Sequence, residues 1–184
     1  MSLSMTGLRK TSRLGLLVFA GAVAIALLVT SASGDTQNKT VESRGTEDFR
    51  PNVRIFSTLH FHPGKTNIDS GGTLTFTHAD DTDEPHTLSV VDEADLPAEF
   101  EDIFECGAPG TVCDEVFQLF PQGPPPPDGF IDAPGTGEGI DGRLDTLFVE
   151  PGGSASAQVT AEPGTTLHFF CAIHAWMQGE INVK

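Results

Sequence analysis

The chain has 184 residues, enough for one domain plus a targeting segment, and carries 26 acidic against 10 basic residues for a net charge of −16. A charge of that size and sign argues against nucleic acid as a partner, because the phosphates would be repelled. It favours a basic protein partner or a salt-rich setting, and the presence of only four lysines fits either.

The first segment reads as an export signal. Arg9, Lys10 and Arg13 form a basic start, Leu14 to Val29 is an uninterrupted run of sixteen apolar or small residues, and small residues follow to Gly34. A membrane span needs roughly 20 such residues, so residues 1–33 are expected to be a cleaved signal or, failing that, an N-terminal anchor. No acid precedes Asp35, so removing the segment moves the charge from −16 to −19. Residues 34–52 are polar, lack apolar periodicity and are expected to be a flexible linker.

From Val53 the pattern turns to short runs rich in β-branched residues and Phe, separated by Gly, Pro and Asp. Strands are expected near 53–61, 73–78, 86–91, 146–150, 155–160, 165–171 and 180–183. Alternation is plain in Leu74-Thr-Phe76-Thr and in Leu167-His-Phe169-Phe-Cys171. Seven such runs with frequent turns predict an all-β domain over 53–184, an antiparallel β-sandwich.

Residues 92–145 interrupt the rhythm. They hold 14 of the 26 acids and a single base, Arg143. Leu96 to Phe120 has room for one or two short helices, Pro121 to Pro127 is proline-rich, and 128–145 is rich in Gly and Asp. The stretch is expected to be a long acidic excursion that adds little to the core. Cys106 and Cys113 lie in a loop-like stretch, and outside the cytoplasm such a pair is expected to close a disulfide. Cys171 is then the odd thiol, and a bound metal would protect it from oxidation.

The last fourteen residues carry the chemistry. Cys171, His174 and Met177 place a thiolate, an imidazole and a thioether within seven residues, in the turn between a strand ending at Cys171 and one opening at Gly179. Two imidazoles and a thiolate in a plane with a weak axial thioether suit copper cycling between Cu(I) and Cu(II). The second imidazole is expected from His86, because Pro85 cannot donate to a ladder and so belongs at a strand start. Each residue alone has a blander reading: Met177 as core filler, His174 as a surface residue, Cys171 as an inert buried thiol. Of the other histidines, His60 and His62 face one side of a strand and are expected to be an exposed pair. His78 is expected only to feel neighbouring carboxylates, and His168 to point away from Cys171.

The segment Cys171–Lys184 resembles the copper-binding loop of the small blue copper proteins, the cupredoxins, with the short gap before Met of amicyanin-like loops. Phe61-His-Pro-Gly64, Gly72-Thr-Leu-Thr-Phe76 and Pro85-His-Thr-Leu88 resemble the first half of the plastocyanin- and amicyanin-like domain. The likeness covers roughly 53–91 and 146–184. It implies a Greek-key β-sandwich holding one type 1 copper, with His86, Cys171, His174 and Met177 as ligands. The 92–145 excursion departs from the pattern, as does Ala175, where amicyanin-like loops often have Pro.

The implied function is an exported carrier of single electrons between redox partners with basic docking surfaces. No catalytic residue is expected, since four protein ligands leave no open position for a substrate. The alternative is a copper-binding protein that captures or delivers the metal outside the membrane. Ala172, Ile173, Ala175 and Trp176 are expected to form a small apolar ring around His174 where a partner docks.

Overall fold

Burial with a period of two organises the chain into strands. Strand β6 (Thr73–His78) is the clearest, with Leu74, Phe76 and His78 buried and the threonines between them half-buried. In the computed structural model, which describes residues 37–120 and 128–184, twelve strands form two sheets and a separate hairpin. The expected signal or anchor at 1–33 and the prolines of 121–127 lie outside the described residues. Among the described residues no helix is long and apolar enough to cross a membrane.

One sheet has the order β10 (Ser154–Gln158), β6, β1 (Lys39–Arg44), β4 (His60–His62). The other has the order β5 (Lys65–Ile68), β12 (Gln178–Val183), β11 (Thr166–Phe170), β7 (His86–Val91), β9 (Thr146–Val149), β8 (Gly129–Ile131). The pairings are antiparallel except β1 with β6 and β12 with β5, which are parallel. Between the sheets lies an apolar core that includes Val41, Leu74, Phe76, Leu88, Leu147, Phe169 and Ile181. Phe61 sets its ring edge-on to Phe76 and Phe169, with centroids 5.6 and 4.9 Å apart. At Gly179 there is no room for a side chain: a Cβ there would meet the Phe169 ring and come within 2.6 Å of the Gly64 carbonyl oxygen.

Two expectations are corrected. The linker expected over 34–52 contains β1, which pairs with β6 and β4 and buries Val41 and Ser43. The sandwich therefore begins at Lys39 rather than Val53. Beyond β1, β2 (Glu47–Arg50) and β3 (Arg54–Ser57) form an antiparallel hairpin.

The excursion also contributes a core of its own. After a single 3-10 turn at Glu93–Asp95 come helices α1 (Phe100–Phe104) and α2 (Val112–Leu119). Cys113, Val116 and Phe120 fall three and four residues apart, so α2 presents one apolar stripe. That stripe packs with Cys106, Val91, Phe170, Ala172 and Ala175 in a second apolar cluster. The Cys106–Cys113 disulfide is formed. Arg143 reaches Asp95 at 2.8 Å and Glu115 at 2.5 Å, so the only base of the excursion ties the 3-10 turn and α2 to the approach to β9. The side chain of buried Asp145 accepts hydrogen bonds from the amides of Ala133, Asp141 and Gly142 at 2.8–3.0 Å, fixing the Gly/Asp-rich turns.

Candidate metal centre

Strands β7 and β11 are antiparallel neighbours, with Ser89 opposite Phe170. His86 opens β7 and Cys171 immediately follows β11, so the pairing brings the two to one pole of the sandwich although 85 residues separate them. The loop from Cys171 to Met177 closes on itself, the Cys171 amide donating to the Met177 carbonyl at 3.0 Å and the Met177 amide to the His174 carbonyl at 2.8 Å. Buried hydroxyls brace it from behind. Thr146 donates to Ser89 and Ser89 to Thr87, and the Thr87 hydroxyl accepts from the Ala172 amide at 2.8 Å.

The donor atoms converge. Cys171 Sγ lies 3.7 Å from His86 Nδ1 and 3.7 Å from His174 Nδ1, and the two nitrogens are 3.1 Å apart. A triangle with these sides has its centre about 2.0 Å from each corner, in the range of metal–imidazole bonds and a little short of a metal–thiolate bond. His86 and Cys171 are fully shielded from solvent and His174 is 3% exposed. The donor set is soft and nitrogenous, which fits copper or zinc and not calcium or magnesium. Met177 is 1% exposed and packs in the main core with Cys171.

The electrostatics favour a thiolate. Burial pushes the Cys171 thiol up, but hydrogen bonds and charge from His174 and His86 outweigh it and bring the thiol down to about 6. Burial pushes His174 down, and it is outweighed by Cys171, by a hydrogen bond to Glu84 and by the charge of Glu47, raising the imidazole to about 8. A Thr87 N–H also points at Cys171 Sγ from 3.4 Å.

The remaining histidines stay outside the trio. His60 and His62 are exposed, and half-buried His168 sits 3.8 Å from Glu93. His78 does more than was expected of it: it is buried, and its Nε2 pairs with the Glu84 carbonyl at 3.0 Å, holding the turn before β7. The expected apolar ring is also different. Ala172 and Ala175 are buried beneath the excursion, while Trp176 remains 41% exposed with its ring edge-on to His174 at 5.3 Å. An apolar basin of about 540 Å³ lies beside it, lined by Ile55, Ser57, Phe100, Ile103, Phe104 and Trp176.

Sequence reasoning missed Asp80 and Glu84, whose carboxylates lie 2.9 Å from His86 Nε2 and 2.8 Å from His174 Nε2. They stand in the run Asp80-Asp-Thr-Asp-Glu84, which looks like a solvated turn. The only sequence signal was its position, directly before Pro85-His86.

A two-sheet sandwich with a histidine, a cysteine and a second histidine gathered at one pole is the arrangement that the cupredoxin resemblance implies. No protein-family model matches the chain, and no curated protein matches it. Among solved structures the chain is similar to auracyanin from the photosynthetic bacterium Roseiflexus castenholzii, at 18% identity over 82% of this chain and 99% of that one, with a TM-score of 0.44. It is also similar to a purple cupredoxin from Nitrosopumilus maritimus, at 14% identity over 79% and 98%, TM-score 0.41. A mutant plastocyanin of fern matches at 22% identity over 79% and 100%, TM-score 0.39. The chemistry of the site is read from its own donor atoms.

Proposed function

We propose that this chain is an exported type 1 copper protein that carries single electrons between redox partners. The observation that carries the reading is the convergence of His86 Nδ1, His174 Nδ1 and Cys171 Sγ on one buried point. Copper bound there would supply a one-electron Cu(I)/Cu(II) couple. His86, Cys171 and His174 would hold it, with Met177 as a further, weaker ligand. The loop's hydrogen bonds and the hydroxyl chain behind it keep the donors in one arrangement, so little would need to move when the electron comes or goes.

Burial of all three donors speaks for a resident metal and against the alternative, capture and delivery of copper, which needs ready exchange. Four protein ligands leave no position for a substrate, so the reading assigns no enzymatic step. Export is supported by the disulfide, which persists in oxidising compartments. The partner face in this reading is the Trp176 basin, lined in part by α1, a helix that with its flanking residues also carries the acids Glu99, Glu101, Asp102 and Glu105. An apolar centre with an acidic surround fits a redox protein with a basic rim.

The test is a visible and EPR spectrum of the full chain after addition of Cu(II), beside Cys171→Ser. An intense charge-transfer band with narrow copper hyperfine splitting, lost in Cys171→Ser, is the expected result. A weak, ordinary Cu(II) spectrum from the wild-type chain would overturn the reading.

A further inference from the structure

The loop of residues 79–85 joins β6 to β7 and supplies a carboxylate to each imidazole of the centre. The Asp80 side chain is fully buried. Its Oδ1 accepts from the Thr82 amide at 3.0 Å and the Thr82 hydroxyl at 2.5 Å. Its Oδ2 and the Nε2 of His86 are both shielded from solvent and have no other partner, yet lie 2.9 Å apart. A buried carboxylate oxygen and a buried ring nitrogen so placed are within reach of each other, although the ring N–H is not aligned as in an ideal hydrogen bond and the Ser43 hydroxyl also neighbours the Asp80 carboxylate. Four residues on, Glu84 Oε2 pairs with His174 Nε2 at 2.8 Å. The loop is held at both ends, by the Ala79 amide donating to the Ser43 hydroxyl at 3.4 Å and by His78 Nε2 on the Glu84 carbonyl.

A neutral imidazole carries its proton on one nitrogen and a lone pair on the other. In each ring the carboxylate at Nε2, 2.8–2.9 Å away, is a nearer acceptor than the Cys171 sulfur, 3.7 Å from Nδ1, and so selects the neutral form with the proton on Nε2, which leaves the lone pair on Nδ1. In both rings Nδ1 is the nitrogen that faces Cys171. The same carboxylates add two negative charges behind the donors, and negative charge favours the more positive oxidation state of whatever metal sits in front. Asp80 acts without screening, since its side chain is 0% exposed, while Glu84 at 57% exposed is partly screened.

We propose that loop 79–85 is a clamp in which Asp80 and Glu84 are positioning residues, presenting His86 and His174 to the metal through Nδ1 and holding the loaded centre toward its oxidised form. The inference rests on the copper reading above, but one of its tests needs no metal. In metal-free protein, at a pH where the ring is neutral, ring-nitrogen NMR of His86 should find the proton on Nε2. A proton on Nδ1 would overturn the clamp.

In the copper-loaded full chain, Asp80→Asn keeps an acceptor for Thr82 and removes the charge. It should lower the preference for Cu(II) over Cu(I) at least tenfold, a rise in potential of about 59 mV or more for a one-electron couple. Glu84→Gln should raise it by less. A change below tenfold in Asp80→Asn, or a larger shift in Glu84→Gln, overturns the proposal; a purely structural role for Asp80 would alter stability and leave the potential in place. Failure of the copper reading would appear separately, as a wild-type chain without the charge-transfer band.

Discussion

Helix α2 is load-carrying packing for the metal loop, and Val116 tests this. Its side chain is fully buried against Cys113, Phe170 and the alanines of the loop. Val116→Ala removes two methyl-sized groups, worth about 1.6 kcal/mol at roughly 0.8 kcal/mol each. If nothing relaxes, a void of about 50 Å³ adds about 1.2 kcal/mol at roughly 24 cal/mol per Å³. The expected loss is therefore about 1.6–2.8 kcal/mol, or a Tm lower by about 3–11 °C for a domain of this size. Thermal and denaturant unfolding of the metal-free chain measure it, with Phe104→Ala as the control. Phe104 is 80% exposed, so that change should stay within about 0.5 kcal/mol. A Val116→Ala loss as small as the control's would refute the second core and restore the excursion to a surface decoration.

Met177→Gln should keep copper bound and lower the reduction potential by cyclic voltammetry; an unchanged potential would remove Met177 as the axial ligand. Cys106→Ala should leave the visible band intact while costing about 2–3 kcal/mol in unfolding, from the small loop that the disulfide closes. In the metal-free chain, thiolate ultraviolet absorbance should titrate near pH 6 rather than 9.0. The thiolate's contribution to stability is complete above pH 9.0 and is lost as pH falls through about 6, whereas that of His174 is complete below 6.5 and is lost as pH rises through about 8. Both describe one ion pair, so its stabilisation is counted once and peaks between those two folded-state values; a midpoint near 9 would contradict it. Raising the ionic strength should slow electron transfer to a basic partner, and a rate independent of salt would exclude steering by the acidic face.

The donors that meet at the pole were legible because the pattern that marks them is local. Cys171, His174 and Met177 sit in one turn, and Pro85 marks His86 as a strand start. Strands β6 and β11 were legible for the same reason, each alternating over several residues. Strand β1 was not: in Lys39-Thr-Val-Glu-Ser-Arg44 only Val41 is apolar, and its place comes from pairing with β6, more than thirty residues on. The second core was hidden because α2 is short and acidic in its first turn, and its stripe has meaning only against Phe170 and Ala175. Asp80 and Glu84 were hidden in a run of like charges, where nothing local distinguishes the two that reach an imidazole from Asp81 and Asp83.

The chain's three cysteines allow three alternative disulfides, and one of them leaves Cys171 free. Cys106 and Cys113 are seven residues apart. Closing either alternative, through Cys171, means gathering a loop of roughly 60 residues, which costs about 2 kcal/mol more in chain entropy. In an oxidising compartment the unfolded chain therefore forms the short bridge preferentially, by a factor of about 25 at equal reactivity. Spacing alone thus favours a free Cys171 before any sheet has formed, as the proposed site requires.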